Sequence, residues 1–308
     1  MKPERHEMRR QALLTIAALL ISTSAIAAQK KKAPTPPPAP RLDLSKPEDV
    51  VTANRKLHAS TIDGKPVIFD FWGKTYSRVP GERDRLLFTW HAMNIRATKT
   101  VVDDKGQKGY KMVSREVVFY EDPATGEILR KWKNPWTGKE VDVLHVSNDP
   151  VNQAPSYPVG PRGPATWAGV SRSGLGTLAF EVPLFYKNPL AGEYQENVGG
   201  YYHATEMFLF YYRDEELLDP TRDSINVQVG WTRLSSWLPW MEMGGRAGEL
   251  YFHGTGLKVE SYDKLSEVTR KEIEANYPLY KTPPDLDDNR PNETSWTYFK
   301  KVTDSKKK

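Results

Sequence analysis

The stretch YYHATEMFLFYY, residues 201–212, has the composition of a β-strand from end to end. It is dense in aromatic residues and contains neither glycine nor proline, which favours extended structure. Side chains alternate between the two faces of a strand, so Glu206 lies on the face of Tyr202, and His203 lies on the face of Met207. Because both faces are largely apolar, the stretch predicts a central strand that is buried on both sides.

Similar segments recur along the chain between turn sequences. Strand-like composition is also found in residues 67–76, 85–101, 110–120, 128–133, 141–146, 177–186, 225–232 and 249–259. A chain of about nine or ten such strands is typical of antiparallel β-structure. The sequence therefore predicts a mainly β fold, an antiparallel barrel-like (calycin-like) sheet with one N-terminal and one C-terminal helix. A β-sandwich is the alternative.

Three copies of one turn motif support antiparallel hairpins. The sequences are DPATG at residues 122–126, NPWTG at 134–138 and NPLAG at 188–192. In each, Asp or Asn can accept a hydrogen bond from the backbone ahead, proline presets φ, and glycine can take the left-handed conformation that closes a hairpin. The first two copies lie close together and predict a meander from Tyr110 to Val146.

Outside the strands, the sequence predicts two helices and one long loop. Ser45 and Glu48 form a capping box for a first helix, and a second is expected over Lys264–Tyr277. Trp296–Val302 is interpreted as a last strand or an aromatic clasp. Residues 148–166 carry five prolines, which predicts an irregular loop without strand or helix, and such a loop can cover a site.

The N-terminus has the pattern of a secretory signal peptide. A basic segment that includes Arg9 and Arg10 precedes an apolar run, and Ala25-Ile26-Ala27 fits a cleavage site. Export by the general or the twin-arginine route is expected, to the periplasm or the medium, with no membrane span left after cleavage. The predicted divisions are a signal peptide (1–27), a Lys/Pro-rich linker (28–41), one β-barrel-like domain (42–302) and a disordered basic tail (303–308).

Composition excludes several classes of function. There is no cysteine, so the chain has no disulfide, thiol nucleophile or thiolate metal site. The 44 Lys and Arg outnumber the 39 Asp and Glu, but the surplus lies in the two ends of the chain, including Lys30–Lys32 and Lys306–Lys308. Nucleic-acid binding is therefore not predicted. The histidines show no metal-ligand spacing, and neither a metal nor a cofactor is predicted.

Three residues are candidates for acid–base chemistry. Glu206 on an aromatic face needs either a partner or a raised pKa, and it is a general acid/base candidate together with His203. The alternative is that Glu206 only pairs with a neighbouring arginine. Arg115, which lies among apolar residues, is the candidate partner by elimination and would stabilise an anion.

Tryptophans cluster between residues 231 and 243, where three Trp and two Met occur. Such side chains can line an apolar pocket with an arginine at its rim, although packing of a barrel end would need the same residues. The candidate ligand-binding residues, including polar anchors on other strands, are Asn94, Trp136, Trp231, Arg233, Trp237, Trp240 and His253.

Three segments carry a resemblance to a known family. They are REVVFYEDPATGEILRKWKNPWTGKEVDVLHVSNDPVN (residues 115–152), GYYHATEMFLFY (200–211) and WTRLSSWLPWMEMGGRAGELYFHGTGLK (231–258). They resemble the DUF1838 family of mostly exported bacterial proteins of unknown function. The resemblance covers nearly all of the chain after residue 42 and implies one exported domain, but it assigns no catalytic residue.

Three hypotheses of function follow. The first is an exported protein that binds a hydrophobic small molecule inside a β-barrel. The second is a cofactor-independent isomerase, hydratase or lyase that uses Glu206 or His203 as acid or base. The third is a structural or partner-binding envelope protein. A cavity of several hundred cubic ångströms with convergent polar groups would favour the first two.

Overall fold

A computed structural model describes residues 40–190 and 192–307 of the chain. The fold is mainly β, as predicted, with 14 strands and four α-helices. The strands are β1 Val67–Arg78, β2 Arg85–Val102, β3 Lys108–Glu121, β4 Lys131–Lys133, β5 Glu140–Asp142, β6 Val146–Asn148, β7 Gln153–Ser156, β8 Val159–Gly160, β9 Gly163–Pro164, β10 Val170–Arg172, β11 Leu175–Lys187, β12 Tyr201–Arg213, β13 Gln228–Ser235 and β14 Glu249–Val259.

Ten strands form one antiparallel sheet. Its order is β10-β11-β12-β13-β14-β1-β2-β3-β6, and β7 also pairs with β3. The first long strand thus lies beside the last, with β1 between β14 and β2. Within the described part of the chain no ladder joins β10 to β6 or β7, so the sheet is open along its edges. The antiparallel, mainly β prediction is confirmed, whereas a closed barrel is not found.

The repeated turn motif folds as predicted. The side-chain oxygens of Asp122, Asn134 and Asn188 each accept a hydrogen bond from the backbone N–H two residues ahead, at 2.7–2.9 Å. The closing glycine of each copy has a positive φ, +74° at Gly126 for example, which a residue with a Cβ rarely adopts. The second copy closes the β4–β5 hairpin, so the turn chemistry encoded in the sequence directly sets this local structure.

The helices are α1 Pro47–His58, α2 Asp214–Leu218, α3 Glu267–Asn276 and α4 Ser295–Lys306. The first begins without the predicted Ser45 cap, since no side chain caps its N-terminus. The second predicted helix is α3, which begins at Glu267 because the Ser266 hydroxyl accepts a hydrogen bond from the Thr269 N–H. No helix of residues 40–190 or 192–307 has the length and apolar character that a membrane span requires.

The C-terminal segment corrects two predictions. Residues 295–306 form α4, where the sequence indicated a strand or clasp over Trp296–Val302 and a disordered tail from 303. Thr294 and Thr297 cap the helix reciprocally, and Trp296 and Phe299, three positions apart, are both buried on one face. This cap and spacing favour a helix over the alternation of a strand.

The proline-rich segment is also more regular than predicted. It contains β7, β8 and β9, and β7 pairs with β3 at the edge of the sheet. Pro155 lies within β7 and Pro164 within β9. Proline is tolerated there because an edge strand does not need every backbone N–H for pairing.

Strand β12 is buried on one face only, which corrects the prediction for residues 201–212. Tyr202, Ala204 and Phe210 are buried, whereas Tyr201 and His203 on the other face are exposed. The exposed face is covered by no helix of the described chain, while α3 covers the outer face of β2 and β3 through Ile273. On the inner face, α1 packs against Phe69 and Phe210 and α4 packs against Tyr202, and the cavity described below lies on that face.

Candidate functional site

A cavity of about 360 Å³ lies on the inner face of the sheet. Strands β1, β2, β3, β6, β7, β11, β12 and β13 all contribute to its lining. Its apolar wall includes Phe71, Trp90, Phe180, Phe208 and Trp231. The polar side chains that reach it are Asn94, Arg96, Ser114, Glu116, Asn148, Gln153, Glu206, Arg233 and Ser295. Its volume falls within the roughly 300–1,000 Å³ typical of small-molecule sites.

Glycines in the central strands make room for the aromatic wall. A Cβ on Gly254 would lie 2.4 Å from the Trp90 ring, and one on the adjacent Gly73 would lie equally close to it. A Cβ on Gly256 would lie 2.3 Å from the Phe71 ring. The two aromatic rings therefore pack directly against the backbone of these glycines, a close approach that only glycine permits in a strand.

An ion pair between β12 and β13 faces the cavity. Glu206 and Arg233 are directly opposite in the ladder, and Glu206 Oε1 lies 2.9 Å from Arg233 Nη1. Arg233 also donates to the Tyr202 hydroxyl, and the Trp231 indole N–H donates to Glu206 Oε2 at 3.4 Å. Each side chain of the pair is about one-fifth exposed, so solvent reaches it from the cavity.

A second carboxyl group, Glu116 on β3, lines the same cavity. Asn148 on β6 donates to Glu116 Oε1 at 2.8 Å. Burial raises the pKa of Glu116, and the negative charge of Glu206 raises it further, while the hydrogen bond from Asn148 and the charge of Arg233 oppose the shift. Because Glu206 is paired with Arg233 and Glu116 has no such ion pair, the two carboxyl groups have different environments, an arrangement that suits acid–base chemistry.

Arg96 on β2 is the other cation of the cavity. Its Nε donates to Asn94 Oδ1 at 2.7 Å, and its guanidinium lies 4.7 Å from the centre of the Phe69 ring. Burial lowers the pKa of Arg96 to about 10. No carboxylate among the described residues lies within ion-pair distance of it, in contrast to Arg233.

The structure brings four of the predicted site residues together. Glu206, Asn94, Trp231 and Arg233 all line the cavity. The arginine that pairs with Glu206 is Arg233, so pairing by elimination with Arg115 was wrong.

Arg115 lies outside the cavity. Its Nε lies 2.6 Å from Asp149 Oδ1, and its Nη1 donates to the backbone carbonyls of Leu279 and Thr282. Residues 115 and 116 point to opposite faces of β3, so Arg115 ties the outer face to the segment after α3. It is a structural residue there and cannot stabilise an anion in the cavity.

The two histidines of the prediction also lie outside the cavity. His203 is exposed on the outer face of β12, with its ring 5.7 Å from that of Phe185. His253 is exposed on β14 and stacks on Tyr251. Strand alternation puts both on the face opposite to the cavity.

Three predicted tryptophans pack elsewhere. Trp240 is buried against Phe88 and Trp132 in the core. Trp136 and Trp237 contact each other, with ring centres 5.3 Å apart, beyond the cavity lining. The Trp-rich stretch therefore serves mainly as core packing, and only Trp231 at its start belongs to the cavity wall.

Sequence reasoning missed Glu116, Arg96 and Asn148 as site residues. Arg96 could have been found, because it lies two residues after Asn94 and therefore on the same face of β2. Glu116 lies opposite Asn94 in the pairing of β2 with β3, which the sequence does not show. Asn148 could not be found from the sequence, because it lies in a strand of only three residues, which is too short to show an alternation of side chains. Within residues 40–190 and 192–307, no three His, Asp or Glu side chains are placed to hold a metal ion.

Comparisons with known proteins add the following. A family model described as "Protein of unknown function (DUF1838)" matches residues 64–303. No curated protein matches the chain. Among solved structures, MucB in complex with MucA(peri) is similar at 9% identity and a TM-score of 0.12, covering 68% of this chain and 91% of that one. That TM-score is too low to relate the two folds.

Proposed function

This chain belongs to the DUF1838 family, and from that premise we propose that it binds a hydrophobic small molecule in the cavity of its β-sheet. The observation that carries the proposal is the combination of an aromatic wall with a few convergent polar groups in one cavity of about 360 Å³. Binding sites for small molecules combine these features, because apolar surface supplies affinity and polar groups fix orientation.

We propose that the sheet curves around this ligand in a barrel-like way. Side chains from β3 and from β11, which are far apart in the strand order, line the same cavity. Glu116 on β3 is also close enough to Glu206 on β12 for the charge of one to affect the other. A flat sheet would keep these strands apart, so this proximity supports a strongly curved sheet.

We also propose that the protein is exported and acts in the periplasm or outside the cell. The support is the sequence of residues 1–27, which lie outside the described residues. Cleavage after Ala27 would leave a chain that begins at Ala28. Export places the cavity where it would meet molecules of the cell envelope or the medium.

Native mass spectrometry of the protein purified from whole cells that produce it naturally, and from their culture medium, tests both proposals. We expect an intact mass for a chain that starts at Ala28, and an additional mass that is lost on denaturation. The size of that additional mass would identify the class of ligand. A protein that retains residues 1–27 contradicts export. A protein that carries no ligand, and takes up none from an extract of the envelope, contradicts binding.

Filling the cavity should abolish that additional mass. Val182 on β11 lines the cavity opposite Glu206 in the ladder, so Val182→Phe adds a ring to the occupied space. We expect at least a tenfold loss of ligand occupancy, since a ligand and the new ring cannot share the volume. Glu181→Phe is the matched control, because Glu181 is exposed on the opposite face and its ring would leave occupancy unchanged. Equal occupancy in both variants would place the ligand elsewhere.

The second candidate function is that of a cofactor-independent isomerase, hydratase or lyase. It is favoured by the two carboxyl groups, which have different environments in the cavity. Glu116 joins Glu206 as a candidate acid or base. His203 and Arg115 are no longer candidates, because both lie outside the cavity. Glu116→Gln or Glu206→Gln should abolish turnover of the ligand found by mass spectrometry while leaving its affinity within a few-fold. A role as a structural or partner-binding envelope protein is the third candidate, and nothing in the cavity favours it.

The raised pKa of Glu116 has a consequence that does not require a substrate. In the folded state Glu116 holds its proton to higher pH than in the unfolded state, so the folded protein loses stability as pH rises from about the ordinary value of 4.5 through the raised pKa. Glu116→Gln, which is uncharged and keeps the acceptor for Asn148, should match the parent protein below that range and exceed it in stability above. Urea denaturation at several pH values measures the difference. A variant that is less stable than the parent at alkaline pH would contradict this expectation.

A further inference from the structure

The cavity is charged unevenly, because only one of the two arginines among its described lining residues forms an ion pair. Arg233 is matched by Glu206 and Tyr202, as described above. Arg96 has neutral contacts instead: the amide oxygen of Asn94, and the backbone oxygen of His58 at 3.4 Å. Burying a cation is costly unless an anion compensates it. Among the described lining residues, Arg96 is the arginine that forms no ion pair. Glu116 lies near enough for its charge to raise the pKa of Arg96, but burial raises the pKa of Glu116 and so favours its uncharged form.

The guanidinium of Arg96 is held in place and keeps N–H donors free for a planar anion. The bond to Asn94 uses its Nε, the ring of Phe69 lies under its plane, and the His58 carbonyl contact is long. Arginine has five N–H donors in a rigid fork, and here Nη2 donates to none of the described residues. A carboxylate is the small planar anion that matches this fork with two parallel hydrogen bonds.

A second basic group, Lys258, lies close to Arg96. Lys258 Nζ lies 5.5 Å from the centre of the same Phe69 ring and donates to the Lys56 carbonyl at 2.8 Å. Burial lowers the pKa of Lys258, and the charge of Arg96 lowers it further. A bound anion beside Arg96 would therefore relieve repulsion between two buried basic groups.

The remainder of the cavity limits the rest of the ligand. Glu206 is already neutralised by Arg233, and Glu116 tends to keep its proton, so a second negative charge on the ligand would find no free cation among the described lining residues. Phe180, Phe208 and Trp231 provide an apolar wall that suits hydrocarbon or an aromatic ring. The site thus matches a molecule with one anionic head and an apolar body.

We propose that the ligand of the cavity is a hydrophobic monocarboxylate and that Arg96 binds its carboxylate, with Asn94 holding the guanidinium in place. This inference rests on the proposed function and specifies its ligand class. It concerns binding alone and requires no bond to be made or broken.

Isothermal titration calorimetry of the unmodified protein with decanoate and with decanol tests the hydrophobic site and the preference for a carboxylate separately. The probes share a hydrocarbon chain and differ in the head group. We expect decanoate to bind about tenfold to a hundredfold more tightly at neutral pH, the usual contribution of a charge-assisted hydrogen bond. Equal binding of both probes would overturn the carboxylate proposal and leave the hydrophobic site standing. Binding of neither would overturn the hydrophobic site as well.

Substitutions test whether Arg96 is the residue that causes the preference for decanoate over decanol. Arg96→Met should reduce the affinity for decanoate to that for decanol and leave the affinity for decanol unchanged. Arg85→Met is the control, because Arg85 lies on the same strand but outside the cavity, against Trp136. If Arg96→Met retains the preference, the assignment to Arg96 is overturned. Should that variant fail to fold, Arg96→Lys keeps the charge without the fork and should lose only part of the preference.

Discussion

Gly254→Ala is expected to destabilise the folded chain by about 3 kcal/mol, because the strand packs too tightly at this position to accept a methyl group. The added Cβ would lie 2.4 Å from the Trp90 ring and 2.6 Å from the Trp72 carbonyl oxygen. Trp90 is almost fully buried and cannot move outward, and the carbonyl belongs to the paired strand β1. The clash can be relieved only by separating β14 from β1 or by pushing Trp90 into the cavity.

Gly230→Ala on the neighbouring strand β13 is the matched control. A Cβ there would lie 3.8 Å from its nearest neighbour, the Leu209 side chain, which is an ordinary contact. We expect that variant to stay within about 0.5 kcal/mol of the parent protein. Urea denaturation followed by tryptophan fluorescence measures both. If the two variants prove equally stable, the packing of Trp90 against the backbone of Gly254 does not contribute to the stability of the fold.

Arg233→Met is the second change with a large expected effect, a loss of about 3 kcal/mol, since it leaves the largely buried Glu206 without its cation. The variant also removes the donor to the Tyr202 hydroxyl, so two polar groups lose their partner at once. Arg172→Met, on the exposed edge strand β10, is the control for removing an arginine and should cost less than about 0.5 kcal/mol.

A double-mutant cycle shows whether the loss comes from the ion pair. Glu206→Gln removes the charge that Arg233 neutralises, so Glu206→Gln combined with Arg233→Met should be less destabilised than the sum of the single variants, by about 1–3 kcal/mol. Strict additivity in urea denaturation would mean that the pair contributes nothing, and that Arg233 supports the fold through packing and its hydrogen bond to Tyr202.

The secondary structure was largely predictable because its signals are local. Alternation of side chains located the long strands, and β14 begins and ends at the predicted residues 249 and 259. The turn motif set the hairpins, since its hydrogen bonds join residues two apart. The errors occurred where a short pattern had two interpretations: α4 has the aromatic content of a strand, and β7 contains a proline that is acceptable only at an edge.

The site was predictable in part. Glu206 and Asn94 were named from strand faces, Trp231 and Arg233 were named from the Trp-rich stretch, and all four line the cavity. The pairing of Glu206 with Arg233 depends on the register of β12 against β13, which no local pattern encodes. The error over Arg115 had the same origin, because its partner Asp149 lies after β6, in a segment whose path the sequence does not reveal.

The sequence by itself therefore determined the class of fold, the strands and turns that build it, and the resemblance to the DUF1838 family, since propensity, alternation and turn chemistry act over a few residues. Only the tertiary structure decided which face of each strand is inside, that Glu116 shares a cavity with Glu206, and that Arg96 lies there without an ion pair. Those relations join residues that are far apart in the sequence, such as Glu116 and Glu206, which are 90 positions apart. They arise from the register and curvature of the whole sheet, which a single sequence does not specify.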